Sequence, residues 1–287
     1  AMATLLRGAE VVSALNEKVQ TDVRALTARG VVPTLAILRV GEKPDDLAYE
    51  RGAMKRAETV GVAIRQIVLP ETVSQEALLS EIAQINADDS IHGCLMLRPL
   101  PKHIDDSIVR EALLPEKDID GITQGSLAGV FAGTKRGFPP CTANACMEML
   151  AYYNIDPAGK NAVVIGRSLV IGKPVAMMLL QQNATVTICH TRTKDMPSVT
   201  RRAEILIVAA GKPGVVGAEY VSAGQTVLDV GINFTSEGKM TGDDAEFSAV
   251  EPIVGAITPV PGGVGTVTTS VLMAHVVEAA NRAIARG

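Results

Sequence analysis

The 287-residue chain contains no tryptophan, and aromatic residues make up 3% of it. That leaves no series of ring faces on which nucleic-acid bases could stack. Lysine and arginine total 27 against 31 acidic residues, for a net charge of −4, and the basic residues are scattered. Neither a basic stripe for a phosphate backbone nor a polybasic patch for a membrane surface is visible. No apolar run reaches the roughly 18 residues that a membrane-spanning helix requires. The first dozen residues lack the charged start and apolar core of a secretory signal. Cysteine is scarce: Cys94, Cys141, Cys146 and Cys189 show neither CxxC spacing nor the density of a disulfide scaffold. Reduced thiols in a cytoplasmic protein are expected. The four histidines, His92, His103, His190 and His275, are isolated from one another. No metal site is expected, and neither a GxSxG elbow nor a Ser/His/Asp or Cys/His pairing is found.

What the chain does have is alternation. With 47% hydrophobic residues it can bury one large core or two modest ones. Ala9–Arg29 carries Val12, Leu15, Val19, Val23 and Leu26 at helical spacing and stops at Gly30. Strand-like Thr34–Val40, a helix over Asp46–Val60, strand Ala63–Leu69, a helix over Ser74–Asn86 and strand His92–Leu97 follow. Repeated β-α-β of this kind predicts a parallel sheet covered by helices. Prolines interrupt the middle, at PLPKH (99–103), PEKDIDG (115–121) and Pro139–Pro140. Cys141–Tyr153 then reads as a helix with Thr142 as its cap, and a second alternating set runs on from Asn161. Within it, Thr185–Cys189, Ile205–Ala209 and Thr226–Val230 read as strands, and Thr268–Arg286 as a C-terminal helix long enough to pack on another lobe.

The strongest local signal is NAVVIGRSLVIGKP, residues 161–174. A buried strand runs into Gly166, and a helix begins near Gly172–Pro174. Glycine lets backbone approach a phosphate, and a helix start offers free N–H groups. The pattern is GxSxxxGxP rather than GxGxxG, so an ordinary strand–turn–helix is an equal reading of these residues alone. At the end of the next strand stand His190, Thr191, Arg192 and Thr193, with no acid. An acid there would suit the ribose 2′-OH of NAD; Thr191, Arg192 and Arg167 suit the 2′-phosphate of NADP. A solvated loop is the plainer account of Arg192, and a structural histidine of His190. KDIDG (117–121) places two acids at a turn, where Asp-Gly is commonest as turn chemistry. TPVPGGVG (258–265) combines rigid prolines with permissive glycines, as a wall around a planar ligand would, or any tight turn.

Together these stretches resemble one family, the methylenetetrahydrofolate dehydrogenase/cyclohydrolases. The matching segments are VGEKPDDLAY (40–49), RPLPKHI (98–104), PEKDIDG, PPCT (139–142), AVVIGRSLVIGKP (162–174), ATVTICHTRT (184–193), AAGKPG (209–214), VLDVGIN (227–233) and ITPVPGGVGTVT (257–268). The resemblance implies an α/β chain of two lobes: 1–140 with 269–287 as a parallel-sheet folate-type domain, and 141–268 as a Rossmann-like NADP-binding domain. The C-terminal helix returns to the first lobe, folate lies between the lobes, and the protein is a homodimer. It assigns Gly166, Arg167 and Ser168 to the cofactor phosphates, Thr191 and Arg192 to the 2′-phosphate, and Ile232 to the nicotinamide. Tyr49 stacks on the folate ring and Asp120 grips the amino-pyrimidine edge of the pterin, both as catalytic-site residues. Leu97, Arg98, Pro261, Gly262 and Gly263 line the substrate pocket.

Five positions depart from the family pattern. The family's catalytic lysine lies four residues after the tyrosine, where this chain has Ala53; Lys55 stands roughly 200° around a helix from that point. The family's glutamine before LPLP is Leu97 here, with Arg98 in place of a leucine. Asp46 replaces a serine and Thr266 a proline. Hydride transfer depends mostly on positioning, whereas water addition needs an acid or base whose loss costs about 10²–10⁴-fold. The expected activity is therefore an NADP-dependent 5,10-methylenetetrahydrofolate dehydrogenase with weak or absent methenyl cyclohydrolase activity. Two other readings stand beside it: an NADPH-dependent imine or iminium reductase with a non-folate substrate, and a non-catalytic homologue that binds folate or a partner protein.

Overall fold

The computed structural model describes residues 2–231, 233–234, 240–242 and 244–287. The chain divides into two compact units, one of Ala14–Cys141 with Thr269–Gly287, the other of the chain up to Ser13 with Thr142–Thr268.

Strand β1 (Thr4–Leu5) opens the chain and helix α1 (Gly8–Ala28) follows. Val11, Leu15, Val19, Val23 and Leu26 are buried along one stripe of α1. Val11, rather than Val12, leads that stripe, because it falls four residues before Leu15. Fully burying such a side chain contributes about 1.5–3 kcal/mol. Strand β2 (Thr34–Val40), helix α2 (Pro44–Val60), strand β3 (Ala63–Leu69), helix α3 (Gln75–Ala87) and strand β4 (Gly93–Met96) come next. The three strands form a parallel sheet in the order β3-β2-β4. All seven residues of the central β2 are buried, so it reads as a continuous apolar run broken only by Thr34 and Arg39. Ser74 caps α3 by accepting from the Ala77 N–H at 3.1 Å. Two helices that sequence periodicity passed over, α4 (Asp106–Ala112) and α5 (Gln124–Ala132), complete this unit before its last helix. Each is capped by a polar side chain, Asp105 for α4 and Thr123 for α5. Helices this short, of seven and nine residues, give too few turns for a periodic signal.

Helix α6 (Cys141–Tyr152) leads into the other unit. It begins at Cys141, so Thr142 lies inside its first turn and is not its cap. There follow β5 (Asn161–Ile165), α7 (Gly172–Gln181), β6 (Thr185–Cys189), α8 (Met196–Thr200), β7 (Ile205–Val208) and β8 (Thr226–Asp229). A short antiparallel pair, β9 (Asn233–Phe234) with β10 (Met240–Gly242), precedes α9 (Phe247–Val250) and β11 (Ala256–Ile257). The main sheet runs β1-β11-β8-β7-β5-β6, and all of its pairings are parallel. The boundary expected from the sequence placed residues 1–13 with the folate-type lobe. Thr4 and Leu5 instead pair with Ala256 and Ile257 of β11, and the chain up to Ser13 groups with that unit. A two-residue strand carries no periodicity, which is why the sequence did not display it.

Helix α10 (Thr268–Arg286) closes the first unit. His275 hydrogen-bonds through Nδ1 to the Ile119 carbonyl at 2.7 Å, and Arg282 donates to the Gly137 carbonyl at 2.7 Å while lying over the Phe138 ring. Among the described residues no helix is long and apolar enough to cross a membrane, and no group of His, Cys, Asp and Glu could hold a metal ion.

Candidate active site

In the first unit, β2 and β4 run parallel, so their C-terminal ends lie on the same edge of the sheet. From that edge β2 leads through Gly41–Lys43 into α2, and β4 leads into Leu97 and Arg98. This is the edge of a parallel sheet where ligands are usually held. A pocket of about 300 Å³ opens there. Asp45, Asp46, Tyr49, Leu97, Arg98 and Asp120 line it. Four residues singled out from the sequence, Tyr49, Leu97, Arg98 and Asp120, thus converge on one cavity although 71 positions separate Tyr49 from Asp120.

The placement of Asp120 follows from packing beneath it. Ile119 lies fully buried against Gly93 of β4, where an added Cβ would stand 2.7 Å from the isoleucine side chain. Only glycine admits that approach. On one side of Ile119, Asp118 is buried and accepts from the Ile122 and Thr123 N–H groups and from the Thr123 and Ser126 hydroxyls, at 2.6–3.0 Å. Asp118 therefore does turn chemistry, and Asp120 faces the pocket. Desolvation, with a smaller contribution from the Asp118 charge, raises the Asp120 carboxyl to about 7, while Cys141 and Arg98 oppose the rise. Burial, reinforced by Asp120 and Cys141, holds the Tyr49 phenol protonated well above its ordinary range. The residue is nevertheless 38% exposed, which leaves its ring accessible.

Arg98 makes a two-pronged contact with Asp106, at 2.7 Å to each carboxylate oxygen. That pairing, ahead of the nearby Asp120 charge, raises the Arg98 guanidinium further, and in return lowers Asp106. Asp46 is buried, 6% exposed, on the inward face of α2. Its nearest cation is Lys43, 3.7 Å away and three residues earlier, and Lys43 also donates to the Pro99 carbonyl at 2.5 Å. Ala53 is fully buried on the same inward face, whereas Lys55 is exposed. Leu97 is buried. Beneath the helix, Glu50 forms a buried ion pair with Arg39 of β2 at 2.6 Å and accepts from Gln66 of β3. This network clamps α2 to the sheet one residue from Tyr49.

Sequence reading singled out Asp46, which the structure places in the pocket lining, and missed Cys141 and Asp106 as participants. Cys141 is buried, donates to the Ile119 carbonyl at 3.4 Å and bonds to the Asp120 carboxyl. Burial and then Asp120 raise its thiol well above normal. The PPCT segment was a visible signal, but it carries no indication of which carboxylate the thiol would meet.

In the other unit, β5 ends in Gly166, whose φ of +118° is open to glycine alone. Its N–H donates to the Cys189 carbonyl at 2.8 Å, and a Cβ would stand 2.2 Å from the Ala209 carbonyl oxygen. Arg167 and Ser168 are exposed on the turn that follows. The Ser168 hydroxyl accepts from the Ile171 N–H at 3.1 Å, which shapes the turn into α7. Gly166, Arg167 and Ser168 thus share one strand–turn–helix with an available helix start. Thr191 and Arg192 are exposed at the end of the neighbouring β6. His190 Nδ1 accepts from the Arg192 N–H at 3.2 Å, giving that histidine a local structural use. Pro261, Gly262 and Gly263 follow β11 in this unit; Gly262 accepts from the Gly8 N–H at 2.8 Å, and Gly263 from the Thr266 hydroxyl at 2.7 Å. Ile232 lies outside the described residues.

Residues 6–120 match the profile of the tetrahydrofolate dehydrogenase/cyclohydrolase catalytic domain, and residues 140–284 that of the NAD(P)-binding domain of the same proteins. The chain is 51% identical over 280 residues to the bifunctional protein FolD of Carboxydothermus hydrogenoformans, covering 97% of each chain. Among solved structures it resembles bifunctional FolD from Campylobacter jejuni, with a TM-score of 0.93, 38% identity and coverage of 98% and 99% of the two chains. It also resembles the Trypanosoma brucei dehydrogenase-cyclohydrolase, solved with NADP and an inhibitor, with a TM-score of 0.90, 32% identity and 99% coverage of both chains.

Proposed function

Because this chain belongs to the tetrahydrofolate dehydrogenase/cyclohydrolase family, we propose that it is an NADP-dependent 5,10-methylenetetrahydrofolate dehydrogenase with weak or absent methenyl cyclohydrolase activity. The observation that carries the reading is the convergence of Tyr49, Arg98 and Asp120 on one pocket that has no lysine or glutamine among its lining groups. An exposed ring next to a buried carboxyl suits a pterin, whose amino-pyrimidine edge offers two N–H donors to one carboxylate. The bound NADP in the Trypanosoma brucei relative, the Gly166–Ser168 turn and the absence of an acid at Thr191–Arg192 support NADP as cofactor. NADP, when bound, would supply the hydride acceptor. The residues of this chain orient the folate, and Gly166, Arg167, Ser168, Thr191 and Arg192 would hold the phosphates.

The cyclohydrolase part rests on Ala53 and Leu97. Ala53 is fully buried and ionises nothing; Leu97 has no polar atom to orient water. Lys55 is exposed while Ala53 faces inward, so it offers no substitute. Purified protein given methylenetetrahydrofolate and NADP should form NADPH and accumulate methenyltetrahydrofolate. Rapid appearance of 10-formyltetrahydrofolate, above the uncatalysed rate, would refute the second half. Binding of NADP with no stabilisation by any folate would favour the imine or iminium reductase reading. A homodimer in the cytoplasm completes the proposal, and sedimentation velocity tests the association.

A further inference from the structure

The pocket around Tyr49 is charged in an unusual way for a site that has lost a lysine. Three acidic side chains line it, Asp45, Asp46 and Asp120, against one basic side chain, Arg98. The Arg98 charge is committed to Asp106 by two short bonds. Lys43 stands 3.7 Å from Asp46 but directs its ammonium to the Pro99 carbonyl, and it is 45% exposed to water. The remaining nearby ion pair, Arg39 with Glu50, is neutral as a unit and buried in the sheet interface. One helical turn before Tyr49, Asp46 exposes less surface than the other two acids, and its ion-pair partner Lys43 is long and half exposed to water.

We propose that Asp46 is a specificity-determining residue whose carboxylate stabilises the positive charge formed on the one-carbon bridge when hydride leaves. This inference rests on the dehydrogenase reading above. In that reaction a C–H bond of the bridge breaks, and the hydrogen departs with its electron pair to the nicotinamide. The cofactor loses its positive charge. One positive charge appears on the product, shared by the two nitrogens that flank the bridge carbon. A fixed carboxylate held on the buried face of α2 favours that development without reorganising. It also works against the second family reaction, because a stabilised cation is a poorer electrophile and a negative wall repels hydroxide. One substitution, Asp46 for serine, thus acts in the same direction as the loss of the lysine.

The test compares the wild type with Asp46→Asn, which removes the charge, and Asp46→Glu, which retains it. The probes are 5,10-methenyltetrahydrofolate, a cation at the bridge, and 5-formyltetrahydrofolate, which is neutral there. Rapid-mixing titration should show Asp46→Asn weakening the cation by about tenfold or more while leaving the neutral folate within twofold. The rate of NADPH formation should fall with kcat rather than KM, and Asp46→Glu should recover part of it. Equal weakening of both folates, or no change in either, overturns the proposal. If the wild type binds neither folate, the dehydrogenase reading fails and this inference fails with it. Should Asp46→Asn melt far below the wild type, Asp46→Ser carries the same comparison.

Discussion

Ala53 and Leu97 are the two residues on which the proposed weakness in cyclohydrolase activity can be tested. Each is buried and apolar where the family resemblance places a lysine and a glutamine. Restoring both, as Ala53→Lys with Leu97→Gln, should raise methenyl hydrolysis by about 10²-fold, followed as the disappearance of methenyltetrahydrofolate. The lysine must leave a fully buried position to reach the pocket, so the double variant should melt at a lower temperature than the wild type. Asp120 gives a second residue-scale expectation. Its folded carboxyl sits at about 7, above the unfolded range near 4. Between those values the folded protein holds a proton that the unfolded chain has released. Stability contributed by this group is thus present at low pH and falls as pH rises toward 7. Asp120→Asn should therefore gain on the order of 2 kcal/mol at pH 8 relative to the wild type, with the gain shrinking as pH is lowered toward 4. Denaturant midpoints across pH would register it, while turnover with folate should be lost throughout.

At the scale of elements, the position of α2 decides where Tyr49 and Asp46 point. The buried Arg39–Glu50 pair fixes that helix to β2 and, through Gln66, to β3. Arg39→Met leaves Glu50 buried without its partner and should cost about 3–5 kcal/mol in a urea melt. Arg39→Met with Glu50→Leu should recover most of that, because the uncompensated charge is then gone. The long elements were legible in the sequence for physical reasons. α1, α10 and the all-buried β2 carry patterns several turns or residues long. Short pieces such as β1, β11, α4 and α5 were not, since their existence depends on partners far along the chain. The site was legible in the same uneven way. Tyr49, Asp120 and Asp46 stood out through motifs, whereas Cys141 and Asp106 matter only because folding brings them to Asp120 and Arg98.

For the whole molecule, the division into units is not a division of the chain into successive halves. α10 belongs with residues 14–141, and β1 with residues 142–268. Deleting Thr268–Arg286 removes Val271, Leu272, Met273, Val276 and Val277 from a core that they help to close. Such a truncated chain should lose cooperative unfolding in circular dichroism rather than shift its midpoint. The pairing of Thr4 with Ala256 has a consequence for synthesis. A ribosome must deliver the chain as far as Ile257 before the sheet edge that receives β1 exists, and as far as α10 before the other core is sealed. Each unit therefore stays incomplete until a segment far along the chain arrives, with apolar faces uncovered until then. Contacts of such long sequence separation slow folding and prolong exposure. The nascent chain is therefore the form of this protein most open to misassociation.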